Sequence, residues 1–229
     1  MYVWMAQFVR ASPPPATSLC FHPKLFSPFP RTRMAVNPTN TSPSFNSRKL
    51  PILLFDIMDT IVRDPFYHDV PAFFGYLISF QDELEGKFFK DRRPFDLQGL
   101  KNCMRRGYSY IDGVEQLLLD LKQNNYEMHA FTNYPIWYRI IEDKLNISKY
   151  LSWTFCSCMY GKRKPDPDFY LAVVEHLKVD PASCIFVDDR IKNVEAAVGV
   201  GITGLQFKNS DLLRQDLLRL GVDIAIDAQ

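Results

Sequence analysis

From residue 50 onward, short apolar runs alternate with segments of helical period, and nothing else in the chain restricts its fold so tightly. Strand-like runs fall at Leu50–Ile57, Tyr126–Thr132, Ser152–Cys156, Cys184–Asp188 and Ile202–Phe207. Between them Asp112–Asn124 carries Val114, Leu117, Leu118 and Leu121 at helical spacing. Pro135–Leu145 predicts a helix with proline at its first position. Asp166-Pro167 opens another with an acidic cap, running through His176. Helices to about Val198 and over Ser210–Leu220 complete the pattern, and Val222–Ile226 predicts an edge strand. Strands alternating with helices imply an α/β fold, a doubly wound parallel sheet covered on both faces. One stretch breaks the alternation. Residues 63–111 are aromatic and charged with no strand pattern, and they predict a small helical cap inserted after the first strand.

In open parallel sheets, ligands bind at the carboxyl ends of the strands. The first strand ends in Asp56, within Leu53-Leu54-Phe55-Asp56-Ile57-Met58-Asp59-Thr60. The second ends in Thr132-Asn133 and the fourth in Asp188-Asp189. Lys164 lies between the third strand and its helix. Three carboxylates, a hydroxyl and a lysine are thereby predicted to converge on one edge. A carboxylate can accept a phosphoryl group covalently. Several carboxylates held close repel one another and call for a cation, and all-oxygen ligands beside a phosphate suit Mg2+. A threonine hydroxyl can donate to a phosphoryl oxygen, and a lysine can neutralise both nucleophile and phosphate.

Taken together and in this order, Asp56 after its apolar strand, Ala130-Phe131-Thr132-Asn133, Lys164-Pro165-Asp166-Pro167 and Phe186-Val187-Asp188-Asp189 with Asn193 resemble the four motifs of the haloacid dehalogenase-like superfamily. The stretches Asp64-Pro65-Phe66-Tyr67 and Phe131-Thr132-Asn133-Tyr134-Pro135-Ile136-Trp137-Tyr138 are similar to plant plastid members described as flavin mononucleotide (FMN) hydrolases. The resemblance implies a magnesium-dependent phosphohydrolase acting on a small phosphate monoester, FMN being the substrate it suggests, by way of an aspartyl-phosphate. It further implies Asp56 as nucleophile and metal ligand, the Met58 carbonyl and Asp189 as metal ligands, and Asp188 and Asn193 ordering the metal shell. Thr132 and the Asn133 amide would take phosphoryl oxygens, and Lys164 would bridge nucleophile and phosphate.

The pattern departs from the superfamily at Met58, where phosphatases of this class carry a second aspartate that moves protons. A thioether cannot do so, and Asp59 is the nearest replacement, with His68 in the cap a looser one. Two alternatives stay open: a 2-haloacid dehalogenase-like hydrolase, whose halide leaves without a proton, and a non-catalytic phospholigand-binding form.

The first 49 residues are different material. They hold eight prolines, six of the chain's 27 basic residues and none of its 26 acidic ones. Such a segment predicts an organelle transit peptide, here for the chloroplast stroma, with a plain disordered tail and a mitochondrial address as the alternatives. The body that follows then carries a net charge of about −5, which disfavours a nucleic-acid partner. No run approaches the roughly 18 apolar residues of a membrane span. Five cysteines make no disulfide framework. Cys156 and Cys158 are predicted to share one face of the third strand and pack in the core. Tyr134, Trp137 and Tyr138 offer a place to stack a flavin ring, against the plainer expectation that they pack.

Overall fold

The computed structural model describes residues 49–66, 69 and 97–224. Most of the expected transit segment and of the insert, with His68, lies outside the described residues.

Among the described residues, five strands form one parallel sheet: β1 (Ile52–Phe55), β2 (Met128–Thr132), β3 (Ser152–Cys156), β4 (Cys184–Asp188) and β5 (Thr203–Gln206). Their spatial order is β3-β2-β1-β4-β5. The chain builds outward from β1 to β3, then returns to the other side of β1 for β4 and β5. The strand order therefore reverses at β1, where a crevice opens at the carboxyl edge. The register Phe55 opposite Ala130 and Val187 brings Asp56, Phe131 and Asp188 to that edge together.

Every residue of β1, β2 and β4 is buried, as expected for central parallel strands covered on both faces. Successive side chains alternate between faces. Ile52 and Leu54 pack on one side with Phe131, Phe155 and Phe186, under helices α5 (Pro167–Leu177) and α6 (Ile191–Gly199). Phe131 is the centre of this layer, with Phe155, Phe169, Tyr170 and Phe186 around it at centroid distances of 4.7–6.2 Å. Helices α2 (Val114–Gln123) and α7 (Ser210–Arg219) pair with each other, joined by an ion pair between buried Asp120 and Arg214.

The insert leaves and rejoins the sheet domain through a closed neck. Val62 and Tyr110 form an antiparallel bridge. The Arg63 N–H donates to Ser109 O at 2.9 Å and the Ile111 N–H to Ile61 O at 3.0 Å. Helix α1 (Leu97–Gly107) ends at this neck. Gly107 is pressed so close that a Cβ there would collide with Cβ of Pro65 and the Asp69 carboxylate. Arg63 Nη1 ties the same place together, at 2.6 Å from Asp69 Oδ2 and 3.3 Å from Gly107 O. At the other end of the domain Lys49, the last residue expected in the N-terminal segment, donates to Asn124 O at 2.9 Å and lies over the Tyr126 ring.

Several expected boundaries shift. The helix expected from Pro135 is α3 (Tyr138–Leu145) and begins three residues later, because Pro135–Trp137 form a turn whose Pro135 carbonyl accepts the Tyr138 N–H. Val222–Ile224 is not a strand. The Val222 N–H closes the end of α7 onto Leu217 O, so Val222 and Ile224 are buried as a helix-terminal turn; the remainder of that expected strand lies outside the described residues. Cys156 and Cys158 do not share a face. β3 stops at Cys156, and Ser157–Tyr160 coils into a short helix, α4, which leaves Cys156 buried and Cys158 exposed.

Candidate active site

The buried cation at the carboxyl edge organises the whole site. The Lys164 side chain is 1% exposed, and its Nζ stands 2.9 Å from Asp56 Oδ1 and 2.6 Å from Asp188 Oδ2. The rings of Phe131 and Phe186 lie 5.3 and 5.0 Å away, so the ammonium sits between two carboxylates and two aromatic faces. A buried charge is tolerated only when paired in this way. The loop that carries Lys164 is clamped by the Asn133 side chain. Asn133 Oδ1 accepts the Lys164 N–H and Nδ2 donates to the Lys164 carbonyl, both at 2.8 Å.

The carboxylates differ sharply in how they are held. Asp188 is fully buried with both oxygens engaged: Oδ1 accepts from the Arg190 N–H and Asn193 Nδ2, and Oδ2 from Lys164 and Asn193. Asn193 is in turn set by α6, whose Asn193 carbonyl accepts the buried Tyr170 hydroxyl. Asp189 is the opposite case. Its Oδ1 is buried and, among the described residues, has no hydrogen-bond partner. Burial, then the charges of Asp56 and Asp188, push the Asp189 carboxyl up to about 7. Burial likewise raises Asp56 to about 6, against the pull of Lys164. Carboxyl oxygens of Asp56, Asp188 and Asp189 come within 4.8 Å of one another. Clustered hard oxygen donors, one of them buried without a partner among the described residues, with Asp56 and Asp189 raised first by burial and then by neighbouring carboxylates, fit a hard divalent cation.

The other expected residues fall around this centre. Thr132 ends β2, buried, its Oγ accepting the Tyr134 N–H at 3.1 Å, which leaves its own hydrogen to donate. Met58 is buried in the loop after β1. Asp59 follows in the left-handed region at φ 57, half-buried, with Oδ1 accepting the Asp64 N–H at 3.0 Å. Of the aromatic trio, Tyr134 is buried with its hydroxyl on that of Tyr108. Tyr138 packs on Trp153 at 5.0 Å. The packing expectation therefore holds for both.

Two contributors escaped the sequence. The Asn133 side chain, as distinct from its amide, is the clamp on Lys164. Thr60, four residues after Asp56, accepts the Asp189 N–H. Neither has a sequence signal, because each acts on the backbone of a residue far away in the chain.

The model of the haloacid dehalogenase-like hydrolases matches residues 67–201. The chain belongs to that family. Among curated relatives, Flavin mononucleotide hydrolase 1 of Arabidopsis thaliana, a chloroplast protein by its name, is 58% identical over 198 residues, covering 78% of this chain and 81% of its own. The Sesquiterpene phosphatase astK of Aspergillus oryzae is 34% identical over 99 residues, covering 42% and 50%. Solved structures agree on the fold. A haloacid dehalogenase family enzyme from Bacteroides thetaiotaomicron aligns with a TM-score of 0.56 at 18% identity over 73% of this chain and all of its own. A haloacid dehalogenase family phosphatase from Thermococcus onnurineus aligns at 0.55 and 18%, over 77% and 100%.

Proposed function

We propose that this chain is a magnesium-dependent phosphatase that hydrolyses FMN to riboflavin and phosphate, with Asp56 as nucleophile. The observation that carries the chemistry is the buried Lys164 bridging Asp56 and Asp188 beside the unpartnered Asp189 Oδ1. The substrate is carried over from the Arabidopsis relative, with 58% identity across most of both chains. Asp56, Asp189 and the Met58 carbonyl would hold Mg2+. When bound, the ion supplies positive charge against the phosphoryl oxygens. Asp188, one of the three carboxylates expected to converge on the cation, has both oxygens hydrogen-bonded; its part is to hold Lys164 and Asn193 in place.

In this reading the Asp56 carboxylate attacks phosphorus and the ester P–O bond breaks, leaving an aspartyl-phosphate and the alcohol. Water then attacks the same phosphorus, returning free Asp56 and inorganic phosphate. Lys164 neutralises Asp56 and the incoming phosphate. Thr132 Oγ and the Asn133 amide donate to phosphoryl oxygens. Met58 cannot move a proton, so Asp59 takes that task. One of its oxygens is tied to the Asp64 N–H, and the other serves the leaving oxygen and then the water. The dehalogenase alternative gives the unpartnered carboxylate oxygen nothing to do, and a binding module has no need of a nucleophile held by lysine.

The deciding experiment is phosphate release from FMN and a panel of other monoesters by the purified chain, with and without magnesium. Magnesium-dependent release that disappears in Asp56→Asn is the expected result. Unaltered turnover in that variant sinks the mechanism, and preference for another ester replaces FMN. We place the protein in the plastid, in keeping with the acid-free N-terminus and the chloroplast relative. A fluorescent protein fused behind residues 1–49 should accumulate in chloroplasts; a cytosolic signal removes the assignment.

A further inference from the structure

The Asp189 carboxylate is placed by its main chain. Among the described residues its Oδ1 has no partner, and its Oδ2 lies 4.0 Å from Arg190 Nε, too far for a hydrogen bond. The backbone of Asp189, by contrast, is held at both polar groups. Its carbonyl accepts from Gln206 Nε2 at 3.1 Å, a contact on an exposed side chain. Its N–H donates to Thr60 Oγ at 3.1 Å, and Thr60 is 1% exposed. This second bond crosses between neighbouring strands' loops: Thr60 belongs to the turn after β1, Asp189 to the turn after β4. A further bond, the Asp56 N–H to Val187 O at 2.8 Å, fixes the same two chains one step below. The hydroxyl of Thr60 thus sets the distance between the loop that carries Asp56 and the loop that carries Asp189.

We propose that Thr60 is a positioning residue for the cation: its hydroxyl holds Asp189 so that the free carboxylate oxygen faces Asp56. The inference rests on the reading of Asp56 and Asp189 as magnesium ligands. Valine in place of Thr60 keeps the shape and removes the acceptor. The Asp189 N–H then has no buried partner, and the turn must shift to find one. Serine keeps the acceptor.

The test is magnesium binding by the whole chain, read from the rise of melting temperature with magnesium concentration and from calorimetry with magnesium alone. Partners that orient a metal ligand typically contribute about 10–100-fold in affinity, and Thr60→Val should weaken magnesium by a factor in that range. Thr60→Ser should stay close to wild type. The magnesium-free melting temperature separates the alternatives. A merely structural Thr60 would lower it in the valine variant and leave the magnesium dissociation constant unchanged, and that outcome overturns the proposal. Should Thr60→Val not fold, Thr60→Ala carries the same comparison, and loss of magnesium affinity in Thr60→Ser overturns the proposal by itself. A wild-type chain that binds no magnesium overturns the metal reading and this inference with it. Equal binding by wild type and the valine variant overturns this inference alone.

Discussion

Asp56 and Asp189 are carboxyls kept uncomfortable by their surroundings, and that discomfort has a measurable sign. Their folded pKa values, about 6 and about 7, stand above the ordinary value of 3.8. In the metal-free protein the folded state therefore holds protons that the unfolded state has released. These two groups favour folding in acid and lose that contribution as pH rises from near 4 through 7. A divalent cation competes with the same protons, so the magnesium-induced rise in melting temperature should be larger at about pH 8 than at about pH 5. Melting curves with and without magnesium at the two pH values check this; an equal rise at both contradicts it. Asp59 allows a cleaner substitution than most acids. Its φ of 57 is a conformation that asparagine also adopts readily, and an amide oxygen can still accept the Asp64 N–H. Asp59→Asn should therefore fold normally and lose about 10²–10⁴ of the turnover on FMN. A turnover close to wild type would mean that the proton moves by another route.

At the scale of elements, the sequence spoke plainly where one physical rule dominated. Apolar strands running out into Asp56, Thr132 and Asp188 marked β1, β2 and β4 and their shared edge, because central parallel strands hold few polar residues until the chain emerges. The Asp166-Pro167 pair marked the start of α5 correctly: the Asp166 carboxylate accepts the Asp168 N–H at 3.0 Å. Removing that acceptor in Asp166→Ala should cost about 1 kcal/mol, visible as a lower urea midpoint with unchanged slope; no change would assign the cap to Pro167 alone. The sequence misled where two rules competed. Alternation at Cys156 and Cys158 looked like strand, but the chain turns into a short helix after Cys156. Val222 and Ile224 look like strand and are buried, yet the Val222 backbone closes a helix. The anchors were hidden for a different reason. The Asn133 clamp and the Thr60 bond join residues 31 and 129 positions apart, and no local pattern reports such a partnership.

For the molecule as a whole, the neck closes the two segments between which residues 70–96 depart from the sheet domain and return. Arg63, Asp69, Gly107 and the bridge from Val62 to Tyr110 hold the two connecting segments together. Gly107→Ala would force a methyl into Pro65 and Asp69, an overpacking expected to cost about 1–3 kcal/mol. Chemical unfolding would register that loss, and an unchanged midpoint would mean that the neck yields freely. Closing the neck has a longer consequence. Once both ends of a detour are fixed to each other, its length matters little to the rest of the protein: each doubling of a flexible loop adds only about 0.6 kcal/mol. Descendants of such a chain can lengthen, shorten or replace the detour while the carboxylates and the lysine keep their places. The detour and the catalytic edge can therefore evolve on separate schedules.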